Sequence, residues 1–417
     1  MRKLFTAFLL SAALTAPAYS AIKFGEGDFN ATLGGYIRTE MFFDTRENLE
    51  AREGHLLILP RIEKLDAENN DLNERFKTNM LSIQTRLNLK VNGPDVLGAK
   101  TSGLIEFEFF GTSDADVNGV RMRHAYVDMN WGNTLLRAGQ TWHPLFDAEL
   151  VASTVSFNNG VPFQPFTRAP QLRLTQNLTK DFSIYGAIST QRDFSALGAS
   201  GLSNNYLRNS GLPDISGGIK YKSEAFTIGA NADFKTLLPR TEYTAADKTY
   251  RTEETISSFA ANTYLRIKSG DLQFKAMGMY GQNLNDMLMI AGYAVKAVKD
   301  NGDYEYTPFK LMSAWGEISY GKEVEVGVFF GYTKNLGTED NTTTTYFARY
   351  ATGNKDVESA FRLSPRVIFT TGAFKFCAEL EYTSATYGTM DNLDKNSFKD
   401  TKAVNNVRGL LAVMLNI

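Results

Sequence analysis

Apolar and polar residues alternate with a period of two along most of the chain. In "LSIQTRLNLKV", Leu81, Ile83, Leu87, Leu89 and Val91 alternate with Ser82, Gln84, Arg86, Asn88 and Lys90. In "LIEFEFF", Ile105, Phe107 and Phe109 alternate with Glu106 and Glu108. In "FRLSPRVIF", Phe361, Leu363, Val367 and Phe369 alternate with Arg362, Ser364 and Arg366. Successive side chains of a strand point to opposite faces, so each run predicts a strand with one apolar and one polar face. The pattern places strands at 31–43, 79–91, 102–112, 119–130, 133–140, 168–176, 181–192, 214–222, 225–234, 255–267, 271–281, 312–320, 323–334, 358–369, 373–386 and 402–416. That is sixteen, an even number, as closed bacterial barrels require. The connections alternate in length. Short ones, such as Trp131-Gly132, Ser223-Glu224, Ser269-Gly270 and Gly321-Lys322, take turns with long polar ones at 44–78, 141–167, 193–213, 235–254, 282–311, 335–357 and 387–401. Short periplasmic turns and long external loops produce this rhythm in an all-β, antiparallel transmembrane barrel of about sixteen strands.

The polar faces carry charge. A charged side chain facing lipid at mid-depth costs ~2–4 kcal/mol, so these charges are expected to face an aqueous lumen. The inward candidates are Arg38, Glu40, Arg86, Lys90, Glu106, Glu108, Arg121, Arg123, Arg137, Arg173, Arg362, Arg366 and Arg408. Two readings stay open. The arginines form a ladder that draws anions into a constriction, or they are solvated wall residues paired with one another that set no selectivity.

The stretch "GVRMRHAYVDMNWGNTLLRAGQTW", Gly119 to Trp142, is the sharpest case. Arg121, Arg123 and Arg137 are expected inward, with Met122, Tyr126 and Leu136 outward. Strict alternation also turns His124 and Asp128 outward. Either a subunit interface covers them or a bulge shifts the register, and the interface is the favoured reading. The following segment 141–167 is rich in apolar residues, with Asp147 and Glu149 as its acids. It is expected to fold into the pore, where those two acids facing the arginines would set up a transverse field. In the first long loop, Leu56 to Pro60 is too apolar to stand free and is expected to pack into the mouth or over a neighbouring subunit.

The ends and the composition narrow the class. Arg2 and Lys3 precede an apolar run from Leu4 to Leu14, then small residues through Ser20. This reads as an export signal over 1–20, cleaved after Ser20. No later stretch has ~18 consecutive apolar residues, which argues against membrane helices. The single cysteine, Cys377, cannot form an internal disulfide. The formal net charge of −2 gives no argument for nucleic-acid binding. There is no HExxH, CxxC or phosphate-binding glycine pattern, and His55, His124 and His143 lack ligand-like spacing. No cofactor, metal or catalytic residue is expected.

Three phrases carry a family resemblance: "GLIEFEFFG", "VRMRHAYVDMNWGNTLLRAGQTW" and "PLFD", with "LPRI" in the first loop. Together they resemble the DcaP-like trimeric outer-membrane porins. The phrase "NNGVPFQPFTRAPQ" is closer to porins of the Bacteroidetes. The resemblance implies a sixteen-stranded barrel, a homotrimer and a basic pore for small anions, with Arg121, Arg123 and Arg137 as its lumen arginines. Two features depart from it: the first strand begins at 31 with no heptad segment before it, and the last residue is Ile417 instead of an aromatic. The expected function is passive diffusion of small hydrophilic solutes, with an anion preference, in the outer membrane of a Gram-negative bacterium. Partners would be those solutes and outer-membrane lipids. The rivals are a barrel enzyme of lipase or protease type and a non-conducting adhesin or structural barrel.

Overall fold

A computed structural model describes residues 22–25 and 27–417. The export signal expected over 1–20 lies outside the described residues. Sixteen antiparallel strands form one closed barrel. They are β1 (Asn30–Asp44), β2 (Lys77–Leu81 and Arg86–Val96, broken by a turn), β3 (Ala99–Glu108), β4 (Arg121–Asn130), β5 (Thr134–Trp142), β6 (Arg168–Asn177), β7 (Phe182–Ser189) and β8 (Asp214–Lys222). The second half comprises β9 (Phe226–Leu237), β10 (Ile256–Ser269), β11 (Leu272–Gln282), β12 (Lys310–Tyr320), β13 (Val324–Asn335), β14 (Lys355–Thr371), β15 (Phe374–Asp391) and β16 (Ser397–Asn416). Each strand pairs with the next, and β1 pairs with β16 from Tyr36↔Asn416 to Asp44↔Arg408. Closure leaves no open sheet edge, which a spanning sheet in hydrocarbon requires.

The outer surface is apolar at alternate positions. Leu172 and Leu174 on β6, Phe274 on β11, Phe330 on β13, Phe376 on β15 and Leu411 on β16 are all exposed there. So continuous an apolar surface would be unstable in water and suits a hydrocarbon belt. No helix among the described residues is long and apolar enough to cross a membrane.

Every expected strand has a counterpart, but three local expectations fail. First, β4 carries a bulge: Glu106 pairs with His124 and Phe107 with Met122, so Arg123 is the extra residue. One added residue reverses the face of everything after it. Arg123 and His124 are therefore both buried on the inner side, while Met122 is exposed on the outer side. Asp128 also faces inward, onto Arg137. No subunit interface is needed to explain His124 and Asp128. Second, Tyr126 turns inward as well, with the Arg137 guanidinium 3.8 Å from its ring centre. Third, the long loop expected at 387–401 is mostly strand. β15 and β16 run on to a turn at 392–396, and the inward side chains Tyr387 and Val404 are buried. Tyr387 donates its hydroxyl to the carbonyl of Pro60, so the extra rungs are covered by the first loop.

Two glycines permit close approaches. Gly139 has φ +131°, and a Cβ there would lie 2.3 Å from the carbonyl oxygen of Ala125. Gly331 lets the Phe163 ring lie against β13; a Cβ would meet that ring at 2.5 Å.

At the long-loop end, buried side chains from three loops pack on inward residues of the wall. Leu56 and Leu59 of the first loop, Phe157 and Phe163, and Met287 and Ile290 belong to one apolar cluster with Trp315 of β12 and Phe329 of β13. The hairpin 48–60 thus packs into the mouth, where Arg362 donates to the carbonyl of Ile58 at 2.8 Å.

Candidate pore site

Alternation brings the expected arginines to the inner face, and the structure supplies almost every one with a carboxylate. Glu108, fully buried on β3, accepts from Arg86 at 3.0 Å, from Arg123 at 2.9 Å and from Arg121 at shorter range. Arg123 also reaches Glu106 at 2.7 Å. Arg121 lies 3.3 Å from Asp193, which also pairs with Arg168 at 2.6 Å. This cluster holds four guanidinium groups and three carboxylates. Burial alone would raise the Asp193 carboxyl, but the adjacent Arg168 and then Arg121 override it and hold it below the usual carboxylate range. Elsewhere Arg38 pairs with Glu40 at 2.7 Å and Arg137 with Asp128 at 2.7 Å. Arg362 lies 3.3 Å from Glu381, and Arg366 lies 3.2 Å from Glu317 and 3.0 Å from Glu325. A charge in low dielectric is stable only when paired and hydrogen-bonded. The arginine-rich wall is close to electrically balanced.

Asp147 and Glu149 meet lysines, not arginines. Lys220 on β8 lies 2.6 Å from Asp147 and 3.7 Å from Glu149, and Lys222 lies 2.7 Å from Glu149. Tyr264 on β10 donates to Asp147 at 3.0 Å. Beyond them the segment is tied to inward side chains around much of the barrel. Asn262 donates to the carbonyl of Leu145, and Lys275 to that of Val151, both at 2.8 Å. Glu317 accepts from the amide of Ser153, and Glu379 from that of Val155, both at 2.5 Å. Arg38 and Arg362 donate to the carbonyls of Val155 and Val161, again at 2.5 Å. His143, buried beside Asp233 at 3.6 Å, is pushed down to about 3, chiefly by burial, so it is neutral at physiological pH.

Two polar cavities flank the segment. One, of about 370 Å³, lies between 148–159 and the wall bearing Tyr36, Arg38, Arg86, Glu106 and Arg123. The other, of about 240 Å³, is lined by Arg137, Asp147, Arg173, Tyr185, Lys220 and Tyr264. Trp142 borders both. Of the inward candidate cations, Arg173 and Lys90 have no carboxylate within 4.0 Å among the described residues, and of these two only Arg173 lines a cavity beside the segment. Its Nε donates to Gln171 at 2.9 Å and its Nη2 to the carbonyl of Trp142 at 3.1 Å.

The counter-charges Lys220, Lys222, Lys275, Glu317 and Glu381, and the buried Glu379, were not among the expected inward residues, and Asp128 was expected on the outer face. Several were legible: in "IKYK" and "CAELEY" the charges alternate with apolar residues as the arginines do. Their pairing was not, because the partners lie on strands or loops far apart in sequence. The inward packing of 283–309 was signalled only by its apolar run "MLMI".

A closed sixteen-strand transmembrane barrel with a charged inner wall and long loops at one end is the architecture of porin-type channels. The structural comparisons fall in the same class. The chain is similar in fold to the outer membrane channel DcaP of Acinetobacter baumannii, with 17% identity, 93% of this chain and 97% of that one covered, and a TM-score of 0.68. OmpT, an outer membrane protein of Vibrio cholerae, shares 9% identity over 94% of this chain and 99% of its own, at 0.56. An anion-selective porin from Comamonas acidovorans shares 12% over 93% of this chain and 100% of its own, at 0.53. The likeness to DcaP meets, at the level of fold, the resemblance carried by the strand motifs. No family model matches the chain, and no curated protein matches it in sequence.

Proposed function

We propose that this protein is an outer-membrane porin through which small hydrophilic solutes diffuse passively, with a mild preference for anions. Segment 141–167 lies in the pore and narrows it, and selectivity comes from pore width and fixed charge. The observation that carries the anion preference is the charge left over after pairing. Among the described residues, the inward side chains of Lys90, Arg173, Arg266, Lys268 and Lys375 have no carboxylate within 4.0 Å. The wall carboxylates without a cation, Asp214, Asp233, Asp356 and Glu379, are buried away from solvent. The excess charge in contact with lumen water is positive.

The working unit is read as a homotrimer; one structural neighbour is a trimer form of OmpT. The outer face of β1, β2 and β14–β16 carries an apolar groove of about 450 Å³ bordered by Met41, Met80, Phe376 and Leu411. Phe76, exposed in the first loop, extends that surface. A subunit contact would cover it. The test is planar-bilayer conductance with reversal potential in a salt gradient. Discrete open channels with an anion-signed reversal potential are expected. Folded protein without conductance would overturn the porin reading in favour of a structural barrel, and a cation-signed potential would overturn the preference.

A further inference from the structure

We infer that Arg173 is the centre of a binding site for one small monovalent anion, such as chloride or a lone carboxylate, in the 240 Å³ cavity beside Trp142. The inference rests on the porin reading for its role in transport, but not for the binding itself.

The charges around the cavity cancel except one. Arg137 is met by Asp128, Lys220 by Asp147 and Lys222 by Glu149. The lining holds three cations and two carboxylates; with the partners Asp128 and Lys222 just outside it the count is four against three, and Arg173 is the one left over. Its hydrogen bonds to Gln171 and Trp142 go to neutral oxygens. They fix the plane of the guanidinium without cancelling its charge, and Nη1 has no hydrogen-bond partner among the described residues. Arg173 also stands directly opposite Arg137 in the β5–β6 register. Like charges directly opposed across a strand pair repel, and an anion between them relieves both that repulsion and the cost of a partly buried cation without a counter-ion.

The geometry also sets the ligand's size and charge. One surplus positive charge selects a monoanion. The small volume, closed on one side by the Tyr185 ring 5.2 Å from the guanidinium, rejects bulky solutes. With Nε and Nη2 engaged, the free Nη1 donors are left to make a charge-assisted hydrogen bond to one small anion.

The test uses the full-length protein folded in detergent, with chloride as the probe. Line broadening of the chloride-35 resonance reports binding whether or not the barrel conducts. The folded protein should broaden the line, and acetate should compete the broadening away. Arg173→Gln should reduce it to the weak residue left by the other uncompensated cations, and Arg173→Lys, which keeps the charge, should retain more of it. Asp128→Asn frees a second cation and should increase it. In bilayers, chloride conductance should saturate with concentration for the parent and rise linearly for Arg173→Gln. Should Arg173→Gln misfold, an unchanged line for Asp128→Asn would by itself overturn the site, as would undiminished broadening in folded Arg173→Gln. Broadening that behaves as expected in a barrel without conductance would overturn the channel reading and leave the anion site standing.

Discussion

Glu108 offers the most decisive perturbation of the inner wall. It is fully buried and accepts from Arg86, Arg121 and Arg123. Replacing it with glutamine preserves its shape and removes one negative charge, leaving four guanidinium groups against two carboxylates. Removing one partner of a buried ion pair costs roughly 3–5 kcal/mol, because the remaining charge stays buried and uncompensated. Glu108→Gln should therefore lower folding stability by about 3 kcal/mol or more. Glu106 is partly exposed and bonds closely to Arg123 alone, so Glu106→Gln should cost less, about 1 kcal/mol. The same charge loss should raise anion selectivity. Urea titration followed by the heat-modifiable gel mobility of the barrel reads the first effect, and the reversal potential reads the second. Equal stability of Glu108→Gln and parent, with an unchanged reversal potential, would refute the view that balanced charge holds this wall together.

Two further perturbations address the loop and the histidine. Gly331→Ala should force Phe163 off β13 and loosen segment 141–167, raising single-channel conductance; an unchanged conductance would show that the segment does not limit flow. His143 is held neutral by burial down to about pH 3, whereas an unfolded histidine binds a proton near 6.5. Between those values the unfolded chain carries the extra proton, so the stability contributed is complete above 6.5 and falls with acidification by about 1.4 kcal/mol per pH unit. His143→Asn should show a shallower acid-side loss of thermal stability than the parent, and parallel curves would contradict this.

The strand count, the alternation of short turns with long loops in all but the last hairpin, and the inward direction of Arg38, Arg86, Arg137, Arg173, Arg362 and Arg366 were legible in the chain. They follow from local chemistry: a spanning strand meets lipid on one side and water or protein on the other, so period two is imposed residue by residue. The Arg123 bulge was not legible, because an inserted residue becomes visible only when the partner strand fixes the register; the sequence pattern fits a subunit interface equally well. The pairing of the arginines also lay beyond the sequence. Glu381 reaches Arg362 across a strand pair, Asp193 reaches Arg121 from a loop, and Glu317 reaches Arg366 from a strand two places away in the barrel. A periodic pattern tells which face a charge lies on, whereas closure of the barrel decides what stands opposite it. For that reason the sequence could present an arginine ladder, and only the tertiary structure could reduce it to a balanced wall with Arg173 left over.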